Sequence, residues 1–278
     1  MIHETIPLFP GNNRVTLTTY LLDDQKEYSK HLHPAMVVFP GGGYAYTSTR
    51  EDEPVALAYL SAGFQTFVLR YSVTESESAP QIYHPLLDGS AALAYIREHA
   101  EEWHIDPDKI AVVGFSAGGH AACYLGTHWQ DTIVTERLGI PYGKNRPNAM
   151  VLCYPVITSG EKAHRGSFNN LLGDRQDDPE MLRYTSLEKH VSENTPPTYL
   201  WHTATDPLVP VENSLLFAAA LSEKKIPFEM RIFPMGAHGL SLADDLVVDP
   251  TKVPFKDHIA GWFDESVKWL QYTFKTEQ

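Results

Sequence analysis

The chain has almost no cysteine: only Cys123 and Cys153 in 278 residues. Two thiols cannot build the disulfide framework of a small secreted scaffold, and a chain of this length buries roughly three-quarters of its unfolded surface without one. Cys153 stands in the apolar run AMVLCYP and Cys123 in the small-residue stretch HAACYLG, so both are expected to be buried thiols. Long hydrophobic runs are missing too. No stretch reaches the roughly 18 apolar residues a membrane-spanning helix needs. The opening residues MIHETIPLFPGN carry neither a basic region nor an apolar core, so no secretory signal is expected in them, and a cytoplasmic location is the default expectation. Positive charge is scarce, with 22 Lys and Arg against 35 Asp and Glu and a net charge of −13. Such a surface repels phosphate backbones and anionic lipid, which argues against nucleic-acid and membrane partners and against a strongly anionic substrate.

What is present is an ordinary globular balance, 43% hydrophobic and 21% charged, which excludes global disorder. Short apolar runs at residues 15–22, 35–39, 64–69, 110–113, 149–154, 198–202 and 228–233 alternate with helical patterns. Several are apolar throughout, the mark of strands covered on both faces and hence of a mainly parallel sheet. Between them, Leu86, Leu93, Ile96, Ala100 and Trp103 draw one helical stripe, and Ile259, Phe263, Val267, Leu270 and Phe274 draw another. A shorter helix is expected over residues 212–222. Alternating strands and helices predict an α/β fold with a central sheet and helices on both faces, as one domain over residues 1–278. Two connections, 158–197 and 240–256, are longer than the rhythm requires. They are candidates for a lid, an interface or a substrate loop, against the plainer reading of surface excursions.

The sharpest motif is Gly114-Phe115-Ser116-Ala117-Gly118 within IAVVGFSAGGHAA. G-x-S-x-G alone arises by chance in a chain of this length on the order of one time in ten. Here it directly follows an apolar strand and opens a small-residue helix, the strand–turn–helix setting of a nucleophile elbow. The turn forces its serine into a strained conformation, and Gly114 and Gly118 clear the room for it. The bland alternative is a glycine-rich turn with an idle serine. After the strand at 35–39 comes Pro40-Gly41-Gly42-Gly43-Tyr44, whose bare backbone suits an oxyanion hole. Gly42, Gly43 and Ala117 are the expected N–H donors, each worth typically ~3–4 kcal/mol of barrier.

A serine hydroxyl needs a base. Among 13 histidines, His238 in RIFPMGAHGL ends a strand in a glycine-flanked loop, where α/β sites lie. His202, His190 and His258 are its rivals, and His120, one turn after Ser116, is expected in packing. Asp206, in the turn WHTATDPLVP, precedes His238 and suits the orienting acid, with an Asx-type cap as the structural alternative. Asp244 and Asp245 follow His238, the wrong chain order for this fold.

These segments together resemble the α/β-hydrolase esterase/lipase family, above all small bacterial esterases related to acetylxylan esterases and carbohydrate deacetylases (BD-FAE and dienelactone-hydrolase-like proteins). The likeness runs from about Ala35 to Leu270 through PGGGY, LRYSV, the block DGSAALAYIREHAEEWHIDPDKIAVVGFSAGGHAA, TATDPLVP and GAHGL. Pro40 stands where many relatives carry His, which argues against the hormone-sensitive-lipase branch, and the 158–197 segment lacks a long apolar lid, which argues against a true lipase. The resemblance implies a serine esterase acting on short-chain esters of neutral acetylated sugars, without metal or organic cofactor. Ser116 is then nucleophile, His238 base and Asp206 orienter. Tyr44, Tyr46 and Trp201 are candidates for contacting a sugar face or closing the acyl pocket, with core or rim packing as the plainer reading. Two other readings are a serine peptidase of the prolyl-oligopeptidase type, for which the chain has no room for a propeller, and a non-catalytic binding module, which the complete triad argues against. A homo-oligomer stays open, since loop aromatics and Trp262 and Trp269 suit an interface as well as a core.

Overall fold

The computed structural model describes residues 1–28, 31–74, 82–249, 253 and 255–276. Eight strands form one sheet: β1 (Thr5–Phe9), β2 (Asn12–Tyr20), β3 (His33–Phe39), β4 (Gln65–Arg70), β5 (Ile105–Phe115), β6 (Ala149–Cys153), β7 (Thr198–Thr203) and β8 (Phe228–Phe233). Their order is β1-β2-β4-β3-β5-β6-β7-β8. The pairs β1–β2 and β2–β4 are antiparallel and the rest parallel. The helices are α1 (Glu53–Ser61), α2 (His84–Glu98), α3 (Ala117–His128), α4 (Thr132–Leu138), α5 (Arg165–Leu172), α6 (Pro179–Tyr184), α7 (Glu212–Glu223), α8 (Lys256–Ala260) and α9 (Trp262–Thr276). Among the described residues no helix is long and apolar enough to cross a membrane.

The inner strands carry apolar runs because both of their faces are covered. Along β3, Val37 and Phe39 enter one core layer with residues of α2, α3 and α7, while Met36 and Val38 enter the other with α1 and α9. Each Leu or Phe buried this way contributes roughly 1.5–3 kcal/mol. Both cysteines are buried free thiols, one in each layer.

Three local readings differ from the structure. β1 was not foreseen, because TIPLF is a short, half-exposed edge strand containing Pro7. β8 is an edge strand with most residues exposed, so its apolar positions alternate with Glu229 and Arg231. The C-terminal stripe is split at Gly261 into α8 and α9. Of the two long connections, 158–197 holds α5, α6 and short 3₁₀ turns and buries Phe168 against Val156 and Val209. In 240–256, residues 250–252 and 254 lie outside the described part, and Ser241 is buried where the segment begins.

Asp88 on α2 is an exception to the apolar layers. It is buried, and its carboxylate accepts the N–H of Ser72 at 2.8 Å, tying the end of β4 to the helix. Burial raises its pKa from 3.8 to about 7, and the Ser72 bonds offset this only in part. A carboxyl with a raised folded pKa binds its proton more tightly in the native state. Its penalty is therefore absent below the unfolded value, grows as pH rises, and is complete above the folded value. Asp88→Asn keeps an acceptor for Ser72 and removes that penalty. Melts at pH 8 should find the variant more stable by on the order of 1–3 kcal/mol, with the gain vanishing near pH 4. A variant less stable than wild type at pH 8 contradicts the assignment.

Candidate active site

Ser116 stands between the end of β5 and the start of α3 with φ 53 and ψ −117. This conformation is strained for an L-residue and must be held from outside. Its N–H donates to the carbonyl of Cys153 at 3.0 Å, and its own carbonyl accepts from Val156 at 3.0 Å and His120 at 3.1 Å. Gly118 is indispensable to the turn, because a Cβ there would lie 2.1 Å from the carbonyl oxygen of Phe39 and 2.3 Å from that of Pro40.

Two loops at the carboxyl ends of β7 and β8 bring Asp206 and His238 to this serine. Ser116 Oγ lies 2.8 Å from His238 Nε2, and His238 Nδ1 lies 2.7 Å from Asp206 Oδ2. The Asp206 side chain is wholly buried, that of His238 is 13% exposed and Ser116 is 7% exposed, so the row is shielded but reachable. Asp206 Oδ1 accepts the N–H groups of Leu208 at 2.9 Å and Val209 at 3.0 Å. His202 donates its Nε2–H to the Val209 carbonyl at 3.0 Å while lying 3.3 Å from Asp206 Oδ2, and its Nδ1 accepts from Ser214 Oγ at 2.8 Å. Burial alone would raise the Asp206 pKa, but the hydrogen bonds from His202 and His238 outweigh it and hold the carboxyl well below its ordinary value. An ionised Asp206 only accepts. It therefore keeps the His238 proton on Nδ1 and leaves Nε2 free to take one from Ser116.

The glycine loop after β3 can be followed peptide by peptide. The carbonyl of Pro40 accepts from Tyr71 Oη at 2.6 Å, and the N–H of the same peptide, on Gly41, donates to Glu51 Oε2 at 2.8 Å. The Gly41 carbonyl accepts from Ser48 at 2.9 Å, and the Gly42 carbonyl from Ala45 at 3.0 Å and Tyr46 at 3.3 Å. The Gly43 carbonyl accepts from Asn170 Nδ2 at 2.8 Å. Because each peptide is planar and trans, fixing one carbonyl fixes the opposite direction for the next N–H. The amides of Gly42 and Gly43 have no acceptor among the described residues, nor has that of Ala117 at the start of α3. Gly42 adopts φ +132, and a Cβ on it would lie 2.0 Å from the Tyr46 carbonyl oxygen, so only glycine fits.

These groups open onto a cleft of about 240 Å³ whose lining includes Gly42, Gly43, Ser116 and His238 together with Tyr46, Arg50, His164 and Leu208. Of the three aromatics expected at the substrate, Tyr46 lines this cleft and is 48% exposed. Tyr44 and Trp201 do not, which corrects that expectation. Tyr44 is buried and donates its hydroxyl to His120 Nδ1 at 2.7 Å, while His120 Nε2 donates to Thr185 at 2.9 Å. Burial lowers the His120 pKa to about 4, so it is a neutral packing residue, as its place on α3 suggested. Trp201 points into the core, stacked on Trp262 at 5.3 Å, because β7 alternates its side chains between two buried faces. His190 and His258 lie outside the cleft lining, with His190 bonded to the Arg183 carbonyl.

Sequence reading missed Glu51, His164, Asn170 and the supporting role of His202. His164 accepts or donates at Nδ1 to Ser167 Oγ, 2.8 Å away, and burial followed by the nearby His238 lowers its pKa. Nothing in the polar 158–197 stretch marks His164 or Asn170 beforehand. Only the turn of the chain over the cleft does.

The BD-FAE family model matches residues 22–221 of the chain. Over 210 residues, 76% of this chain, it is 44% identical to an endo-1,4-beta-xylanase B of Butyrivibrio fibrisolvens. It is 31% identical to an acetylxylan esterase of Xylanibacter ruminicola over 74% of this chain. The chain spans 33% and 40% of the length of those two relatives. Among solved structures, an acetyl ester-xyloside bifunctional hydrolase from Caldicellulosiruptor lactoaceticus is 40% identical with a TM-score of 0.82, covering 97% of this chain and 96% of that one. A carboxylesterase from Lactobacillus plantarum is 28% identical with a TM-score of 0.85, covering 98% of each. The chain therefore belongs to the BD-FAE family and carries the α/β-hydrolase fold of carboxylic ester hydrolases.

Proposed function

We propose that this chain is a serine esterase that removes short acyl groups, acetyl above all, from hydroxyls of neutral sugars. The observation that carries the reading is the unbroken hydrogen-bonded row from Ser116 through His238 to Asp206. It faces amides of Gly42, Gly43 and Ala117 that have no other acceptor among the described residues. Ser116 Oγ attacks the ester carbonyl carbon as its proton passes to His238 Nε2, and the carbonyl π pair moves onto oxygen. The three amides bind that oxyanion. Its collapse breaks the bond to the alcohol oxygen, which takes the proton from Nε2 and leaves as the free hydroxyl. Water then repeats the sequence on the acyl-serine and releases the carboxylic acid. Asp206 stays ionised throughout and stabilises the imidazolium in each half.

The size of the cleft supports a short acyl group. At about 240 Å³ it falls below the roughly 300–1,000 Å³ of pockets that enclose drug-sized ligands. Its mixed wall of Tyr46, Ser48, His164 and Leu208 suits a hydroxylated leaving group better than an alkyl chain. The names of the relatives, an acetylxylan esterase and an acetyl ester-xyloside hydrolase, support a sugar as that alcohol. All these residues come from one sheet and its connections, and we take residues 1–278 as one catalytic domain.

Hydrolysis of p-nitrophenyl esters from acetate to octanoate, by wild type and Ser116→Ala, tests the reading. Turnover should fall steeply beyond butyrate and be absent in the variant, and acetylated xylo-oligosaccharides should then lose acetate. Full turnover in Ser116→Ala, or a preference for octanoate, contradicts it. Asp206→Asn should lower kcat roughly 10³–10⁴-fold, because an amide no longer enforces the Nδ1–H form of His238. A loss of less than tenfold would show that His238 keeps its tautomer without the carboxylate.

A further inference from the structure

We propose that Glu51 is an ionised positioning residue of this site: its carboxylate ties the oxyanion loop to the loop that carries His238 and sets a negative charge near the imidazole. The proposal rests on the esterase reading above. Glu51 lies on the 3₁₀ turn Thr49–Glu51, before α1, and is 2% exposed. Its Oε2 accepts the Gly41 N–H at 2.8 Å, and its Oε1 accepts the Tyr154 hydroxyl at 2.6 Å. The Tyr154 oxygen in turn accepts the N–H of Ser241 at 2.8 Å, three residues beyond His238. The Tyr154 ring also packs edge-on against His238, with centroids 5.0 Å apart. One side chain thus joins the two loops that must meet at Ser116.

The donors decide the charge. The Gly41 amide can only donate. Tyr154, already accepting from Ser241, has its own proton to give. Each carboxylate oxygen accepts one of these protons, the arrangement that suits an ionised carboxylate. Burial is the largest effect and holds the Glu51 pKa above its ordinary value, although the Tyr154 and Gly41 hydrogen bonds pull against it. No Lys or Arg lies within ion-pair distance of it among the described residues. The groups facing Glu51 are Arg50, Tyr71, Tyr154, Cys153 and His238. His238 also faces Asp206 and His164. A buried acid without a cation partner is costly, and capping one backbone N–H would not require it.

The charge acts on both ends of the reaction. It favours the imidazolium and opposes the oxyanion, so in the transition state the two effects largely offset. What governs kcat is then the register of the two loops. The free enzyme holds no oxyanion, and there a buried negative charge favours a protonated site and raises the acid limb of kcat/KM.

Glu51→Gln keeps the shape, but its amide group cannot accept a second hydrogen bond. On p-nitrophenyl acetate its kcat should fall at least about tenfold with KM within about twofold. The acid limb of kcat/KM should move to lower pH. A folded variant with the kcat of wild type overturns the proposal. So does one whose activity falls while its acid limb stays in place, since a merely structural role would do that. Tyr154→Phe is the second variant, for use if Glu51→Gln does not fold. It leaves the Glu51 carboxyl in place and cuts the tie to Ser241, so kcat should fall; unchanged kcat overturns the proposal. Wild type and Ser116→Ala run alongside. An inactive wild type or an active Ser116→Ala defeats the esterase reading, whereas active wild type, silent Ser116→Ala and unaltered Glu51→Gln defeat only the role of Glu51.

Discussion

Ser116 is held at φ 53, in a region an L-residue occupies only at a cost of roughly 1–3 kcal/mol, and much of the fold serves to keep it there. The sheet supplies the rigidity. β5 lies at its centre, between β3 and β6, and ends in the turn. Gly118 lets α3 approach the carbonyls of Phe39 and Pro40 so closely that no side chain fits between. Backbone hydrogen bonds to Cys153 and Val156 lock the serine to the end of β6. The strain is affordable because the layers around it are buried on both sides of the sheet. A turn with this geometry on a mobile loop would relax.

From that fixed point the electrostatics follow. The site is built of backbone amides, an imidazole and buried carboxylates, whose influence grows where water is excluded. Asp206 is held ionised by four hydrogen-bonding neighbours: His202, His238, Leu208 and Val209. The glycine loop shows the same economy. Each of its carbonyls is bound on the inner side by Tyr71, Ser48, Ala45 with Tyr46, or Asn170, so that the amides left over face the cleft. The 158–197 connection contributes Asn170 to that support and His164 to the cleft wall.

The α/β class, the mainly parallel sheet and the positions of Ser116, Asp206 and His238 were legible because each has a local cause. Continuous apolar runs signal strands covered on two faces, and G-F-S-A-G between a strand and a helix signals a sterically starved turn. The edge strand β1 was not legible, since it lacks the burial that writes such runs, and for β8 the run 228–233 marked the strand but not its exposure. Of the two readings open for Tyr44 and Trp201, packing holds over substrate contact. Sequence places both beside site loops, but strand alternation and the tie to His120 turn them into the core. Glu51 was invisible because TREDEP reads as a solvated charged stretch. Only the fold reveals that one of its acids is swallowed beneath the glycine loop.

The central claim is that Ser116 is made nucleophilic by His238. It is tested most directly by labelling with a fluorophosphonate probe followed by peptide mapping, in wild type and in His238→Ala. The account predicts one label per chain, on Ser116, formed rapidly in wild type and lost in the variant. Label on another residue, or equal labelling of Ser116 without His238, would contradict it.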